Sequence, residues 1–291
     1  MRLAPFGRPG VGLAATLLFF AAWTDILEET AKFRAARRIW ARVMRDRFGA
    51  KNEKSLHCRF HVQTAGSALT AQSIDNNVIR AAYQALAAVL GGAQSLHVNG
   101  KDEALALPTE ASARLALRTQ QVLAHEAGVT GTVDPLGGSW AIEALTDAVE
   151  ADALALIAET DRLGGAVPAI SAGFPQRAIH DAAFAYQREV ESGERVIVGV
   201  NRFVEEQMST PPIACIDPAR EREQVAALAA FRATRDAAAI ARSIAAIKVA
   251  ANGRDNLMPL LIDGVKAGLT VGEISGALRE VWGEHRESSH L

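Results

Sequence analysis

Residues 59–66 read Arg59-Phe60-His61-Val62-Gln63-Thr64-Ala65-Gly66, and the fold turns on whether they form a strand. Side chains alternate across a strand, so Phe60 and Val62 share one face while His61 and Gln63 share the other. Thr64 and Gly66 then stand at the strand's C-terminal end, where a glycine lets the backbone come close to a ligand. Read alone, His61 and Gln63 are either ligand-contacting groups or a pair of satisfied core polars. The wider segment 56–64 is short and alternating enough to be this strand.

Working outward, the apolar run from Val11 to Trp23 reads as a buried parallel strand, because Asp25, Glu28 and Glu29 follow it and open a helix. With Arg2 and Arg8 ahead of it, the same run also has the pattern of an export signal. Helical periodicity spans Ile26–Phe48 and Asn76–Leu90, the latter stopped by Gly91-Gly92. Ala93–Val98 is a third strand candidate. Its string Gln94-Ser95-Leu96-His97-Val98-Asn99, followed by Asp102 and Glu103, repeats the design of a strand ending in polar groups. Thr109 caps a helix to about Ala127. Alternating strands and helices favour a parallel sheet covered by helices, and three strands are too few to close a barrel.

Val133–Trp140 is a turn-rich loop, and helices are expected over about Ala144–Leu163 and Gln176–Glu191. Arg195–Asn201 reads as an isolated strand, and Ser209–Pro218 as a linker. The remainder is helical: two helices over Arg220–Ala251 broken near Thr234, one over Asn256–Ala267, and a last one opened by a Thr270/Glu273 capping box. Two segments are expected, 1–190 and 191–291. Arg34, Arg38, Arg42 and Arg45 line one helix face, which reads as solvated charge with phosphate binding as the alternative; Asp147 and Glu150 are paired carboxylates on another helix and also read as solvated charge.

The 291 residues are 49% hydrophobic and 22% charged, which excludes wholesale disorder. A net charge of -2 gives no global field to draw nucleic acid or an acidic membrane. Cys58 and Cys215 are far apart and read as reduced thiols in the cytoplasm. No phosphate-binding loop, nucleophile elbow, HExxH or CxxC occurs, and the histidines do not group into a metal-ligand spacing.

Longer stretches carry a resemblance. AKFRAARRIWAR (31–42), FHVQTAGSALTAQ (60–72), NNVIRAAYQALAAVLGGAQSLHVNGKDEALALPTE (76–110), VDPLGGSW (133–140), SGERVIVGVNRF (192–203) and VGEISGALREVWGEHRE (271–287) resemble the large, catalytic subunit of the methylmalonyl-CoA mutase family. The likeness runs from about Phe19 to Arg286. It implies an α/β fold: a partial (β/α)8 TIM barrel holding about the last three strands, followed by a mainly helical C-terminal linker region. It implies adenosylcobalamin as cofactor, radical carbon-skeleton isomerisation of a short-chain acyl-CoA threaded along the barrel axis, and a cobalamin-binding small subunit or domain as partner in a homo- or hetero-oligomer. Neither nucleic acid nor membrane is an expected partner.

By the same resemblance His61 and Gln63 are the catalytic candidates at the active-site mouth. Gly66 contacts the corrin, Glu103 bonds cofactor groups on the adenosyl side, Ala104 and Ala106 pack beside it, and Asn99 shares the mouth loop. The chain departs from the family in three ways. Earlier barrel strands, with much of the acyl-group recognition, have no counterpart; Ala15 and Leu17 stand where the family has an Arg-x-Ser pair; and the DxHxxG motif of the cobalamin domain does not occur. The expectation is a chain with an open sheet edge and an apolar open face, marginally stable alone, whose catalysis needs the other barrel strands and a cobalamin domain in trans. The alternative is a non-catalytic remnant or assembly partner of a mutase. The acyl group is not legible.

Overall fold

The computed structural model describes residues 17–205 and 212–286. The chain divides into two compact units, Met1–Cys215 and Ile216–Leu291. The first is α/β, and its heart is a parallel sheet of three strands in the order β1 (Leu18–Ala22), β2 (Phe60–Thr64), β3 (Ser95–His97). Within the run from Val11 to Trp23, Leu18–Ala22 forms the strand; residues 11–16, Ala15 among them, lie outside the described residues. The short helix α2 (Glu53–Leu56) takes the start of the segment expected to be strand, because Asn52 caps it by accepting from the Lys54 amide.

Each strand is followed by a helix that returns across one face of the sheet. Asp25 caps α1 (Ile26–Arg42), its carboxylate accepting from the amides of Leu27 and Glu28 at 3.1 Å. The helical run then loosens into one π-helical turn, Val43–Arg47. Helix α3 (Asn76–Leu90) follows β2, and α4 (Glu110–His125) follows β3, capped by Thr109 as its sequence requires. Phe20, Ala22, Phe60, Val62 and Leu96 point to the helices and pack with Phe33 of α1 and Ala88 of α3. Phe60 and Phe33 are stacked, with ring centroids 5.5 Å apart. Full burial of such side chains contributes about 1.5–3 kcal/mol each. Gly91 belongs to the same packing, since a methyl there would fall 2.5 Å from a ring carbon of Phe33.

Helix α5 (Trp140–Arg162) packs along α1 and corrects the expectation that both charged faces are solvated. Arg34 pairs with Asp134 and with Glu143 at 2.6 Å; Arg38 pairs with Asp147 at 2.5 Å and also with Glu150; Arg42 pairs with Glu150. The arginines recur every four residues on α1, and the carboxylates 143, 147 and 150 match them along α5. Glu150 is only 4% exposed. Arg42 and Asp147 stay largely exposed while paired, and Arg45 pairs in solvent with its neighbour Asp46. Helices α6 (Ala166–Ser171) and α7 (Phe174–Ser192) complete this part.

The strand expected over Arg195–Asn201 is not formed; one isolated bridge joins Val198 and Arg202. Gly199 has φ +81°, and the Asn201 side chain accepts from the Ile197 amide while donating to the carbonyls of Val190 and Arg195. The segment's backbone groups are thus satisfied by a turn rather than by a neighbouring strand.

The second unit holds α8 (Pro218–Ala233), α9 (Ala237–Ala251), α10 (Leu257–Lys266) and α11 (Val271–Trp282). Ile240, Ile247, Leu269 and Ala277 form its core. The Thr270/Glu273 capping box is present. Hydrogen bonds from Arg235 and from Thr270 pull the Glu273 carboxyl down to about 2. Among the described residues no helix is long and apolar enough to cross a membrane.

Candidate functional site

The second face of the sheet is uncovered among the described helices, and parity decides what it carries. Register aligns Phe19, His61 and Ser95 in one row and Ala21, Gln63 and His97 in the next. The expectation of an apolar open face is corrected: the face carries two histidines, a glutamine and a serine beside one phenylalanine and one alanine. Phe19 is 62% exposed there, and its ring lies 5.2 Å from that of His61.

His61 and Gln63 share this face, as alternation requires, and neighbouring strands orient both. His61 Nδ1 lies 2.7 Å from Ser95 Oγ. Gln63 Nε2 donates to Asn99 Oδ1 at 2.9 Å. Asn99 itself is 2% exposed. Its amide N–H donates to Thr64 Oγ1 and its Nδ2 to the Thr64 carbonyl at 2.7 Å, so it locks the loop after β3 onto the end of β2. Held this way, Gln63 keeps its Oε1, and His61 its Nε2, without a protein partner among the described residues.

Gly66, Asn99 and Glu103 meet at the C-terminal end of the face. A methyl on Gly66 would fall 3.2 Å from Asn99 Nδ2 and 3.3 Å from Glu103 Cγ, so glycine permits this close approach. Ala104 is exposed and Ala106 half-buried in the turn that follows. The two adjacent carboxylates differ. Glu103 is exposed, whereas Asp102 is 3% exposed and accepts from Ser112 Oγ at 2.6 Å and from the Thr109 amide at 3.0 Å. Burial pushes the Asp102 carboxyl up, but the bonds from Ser112 and Thr109 outweigh it and hold the group below its usual range. Asp102 ties the turn to the start of α4; Glu103 has no side-chain partner among the described residues.

The structure thus gathers His61, Gln63, Gly66, Asn99 and Glu103 along one face and its end. Ser95 and His97 lie in the polar string that the sequence singles out but receive no role there, although the same period of two that selects Asn99 passes through both. Sequence reasoning missed Asn77, fully buried, which donates to the Thr70 and Lys101 carbonyls and clamps the loops after β2 and β3 together. A separate cleft of 550 Å³, lined by Trp23, Asp25, Arg80, Tyr83 and Tyr186 among others, contains none of the predicted site residues. Among the described residues no group of three or more histidine, cysteine or acidic side chains is placed to hold a metal ion.

Compared with known proteins, residues 13–284 match the family described as methylmalonyl-CoA mutase. The chain belongs to the methylmalonyl-CoA mutase family. It is 44% identical to the 2-hydroxyisobutanoyl-CoA mutase large subunit of Aquincola tertiaricarbonis over 93% of this chain and 48% of that protein. It is 44% identical to a methylmalonyl-CoA mutase of Rhizobium meliloti (strain 1021) over 92% of this chain and 38% of that protein. It is 42% identical to the human mitochondrial methylmalonyl-CoA mutase over 94% of this chain and 37% of that protein. The chain therefore spans half or less of the length of these curated relatives.

Proposed function

We propose that this chain supplies part of the acyl-CoA-binding barrel of an adenosylcobalamin-dependent acyl-CoA mutase. The observation that carries the reading is the placement of His61 and Gln63 on one open sheet face, with Gly66, Asn99 and Glu103 at its C-terminal end. In barrel enzymes that end is where sites form. On this reading β1–β3 are the last three strands of a (β/α)8 barrel, and the helical unit is the linker region beyond it.

His61 and Gln63 bind and orient the acyl-CoA. Each has one polar atom fixed by the protein and one left to meet the ligand, which is the preorganisation that positioning requires. The far end suits the cofactor. The exposed Glu103 carboxylate is an acceptor-only group matched to ribose hydroxyls, and Gly66 lets the end of β2 sit against it. Gly66, Asn99, Glu103, Ala104 and Ala106 would hold adenosylcobalamin, which when bound supplies radical chemistry for a carbon-skeleton rearrangement. The further barrel strands would cover the open face and exclude water. A cobalamin-binding small subunit or domain is the partner, and two free thiols, Cys58 and Cys215, favour the cytoplasm.

The test is reconstitution. The chain is combined with the preceding half of a relative's large subunit, a cobalamin-binding subunit and adenosylcobalamin, and conversion of methylmalonyl-CoA or 2-hydroxyisobutyryl-CoA is followed by mass spectrometry. Turnover that is lost in Gln63→Ala supports the reading; no turnover in a mixture where the relative's intact large subunit is active contradicts it. The uncovered edge of β1 favours a second reading, a non-catalytic assembly partner: among the described residues β1 pairs only with β2, and Lys32 caps the outward Ala21 carbonyl at 2.8 Å. That reading predicts co-purification with a mutase subunit and no effect of Gln63→Ala on its activity.

A further inference from the structure

The open face holds a second histidine that the proposed site does not use. Register places His97 directly opposite Gln63, and the two-residue alternation through Ser95 puts its ring on the face of His61 and Gln63. Leu96, between them, packs into the core on the helix side, which fixes the parity of β3. His97 is exposed. Its environment differs from that of His61, because the His97 ring makes no hydrogen bond, ion pair or ring contact among the described residues. Its backbone is held on both sides, by the β2–β3 ladder before it and by buried Asn99 two residues on.

A structural histidine is one whose ring nitrogens are satisfied by the protein. This one is presented on a rigid strand, with both nitrogens unspent, at the level of Gln63. One row lies between it and the N-terminal edge, and the Gly66–Glu103 corner lies beyond it. Successive rows on one face are about 6.6 Å apart. A ligand lying along the face and reaching the corner therefore passes His61 first, then Gln63 and His97 together.

We propose that His97 is a third ligand-contacting residue of this face, hydrogen-bonding the acyl end of the acyl-CoA beside Gln63. The inference rests on the acyl-CoA reading above and adds to it a residue and a position. Imidazole can donate to a thioester carbonyl or to a substituent oxygen of the acyl group. With the acyl end directed to the Gly66–Glu103 corner, as the acyl-CoA reading has it, the adenosine-phosphate end falls on the side of the His61 row, so His97 distinguishes acyl-CoA from coenzyme A itself.

The experiment labels the histidines of the full 291-residue chain with nitrogen-15 and follows their ring resonances during titration with methylmalonyl-CoA, 2-hydroxyisobutyryl-CoA and free coenzyme A. The expected result is a saturable shift of both His61 and His97 with at least one of the acyl-CoAs, and of His61 alone with coenzyme A. His97→Ala weakens binding of that acyl-CoA about three- to tenfold, the worth of one hydrogen bond. His97→Gln restores most of it, and neither variant changes coenzyme A binding. A shift of His61 with His97 unmoved overturns the proposal and leaves the acyl-CoA reading standing. No shift at either histidine overturns both. Circular dichroism and melting of each variant confirm that the fold is kept.

Discussion

The two faces of one small sheet have the same backbone and opposite content. Toward the helices stand Phe20, Ala22, Phe60, Val62 and Leu96, closed over by Phe33 and Ala88. Away from them stand Phe19, Ala21, His61, Gln63, Ser95 and His97. The first set is packed and is there for stability. In the second, His61 and Gln63 are held by hydrogen bonds with Ser95 and Asn99, and the remaining polar side-chain atoms have no protein partner among the described residues. On an open face such atoms are satisfied by water, so they are free to exchange it for a ligand or further protein with little effect on stability. The difference teaches that β2 does two jobs through one alternation.

Substitutions should separate the faces. The largest effect is expected on the covered side: Phe60 is 0% exposed, and Phe60→Ala should cost about 3–5 kcal/mol by cavity formation, read as a lowered melting temperature of the first unit. An intermediate effect is expected where the face ends. Asp102→Asn should cost about 1–3 kcal/mol, because the charge-assisted bonds from Ser112 and Thr109 are lost, whereas Glu103→Gln should leave stability unchanged. Asp102 also gives this region an acid dependence. Its folded pKa lies below the unfolded one, so its contribution is present above the unfolded carboxylate value of 3.8 and is lost as pH falls through the folded value. Melting curves recorded from pH 6 downward should show wild type losing more stability than Asp102→Asn, in which Glu143, Asp161 and Glu273 still titrate. The smallest effect on stability, within about 0.5 kcal/mol, is expected for Gln63→Ala on the open face.

The alternation in residues 60–64 makes the two faces legible in the sequence itself, as do the Asp25 and Thr109 caps and the Thr270/Glu273 capping box, because these signals are local. The charged faces of α1 and α5 are not legible as partners. Their spacing is visible, but only the packing of two helices distant in sequence turns Arg38 and Glu150 into a pair. The segment 195–201 fails as a strand for a related reason: a strand needs a neighbour, and Asn201 supplies the bonds instead. At the site, the family resemblance picks out His61, Gln63, Gly66, Asn99 and Glu103. It says nothing of Ser95 and His97, whose placement follows from strand register. The apolar expectation for the open face comes from treating it as core, and the parity of β2 and β3 overrides that.

On the proposed function the open face of the sheet is a ligand surface. The most direct measurement is calorimetric titration of methylmalonyl-CoA and 2-hydroxyisobutyryl-CoA into the wild-type chain and into the His61→Ala/Gln63→Ala double variant, with a melting curve of each. The predicted result is saturable binding of an acyl-CoA by the wild type, weakened at least about tenfold in the variant, where two hydrogen bonds are removed, with melting temperatures that coincide. Equal affinity in the two proteins, or weakened binding that only accompanies a lowered melting temperature, would contradict it.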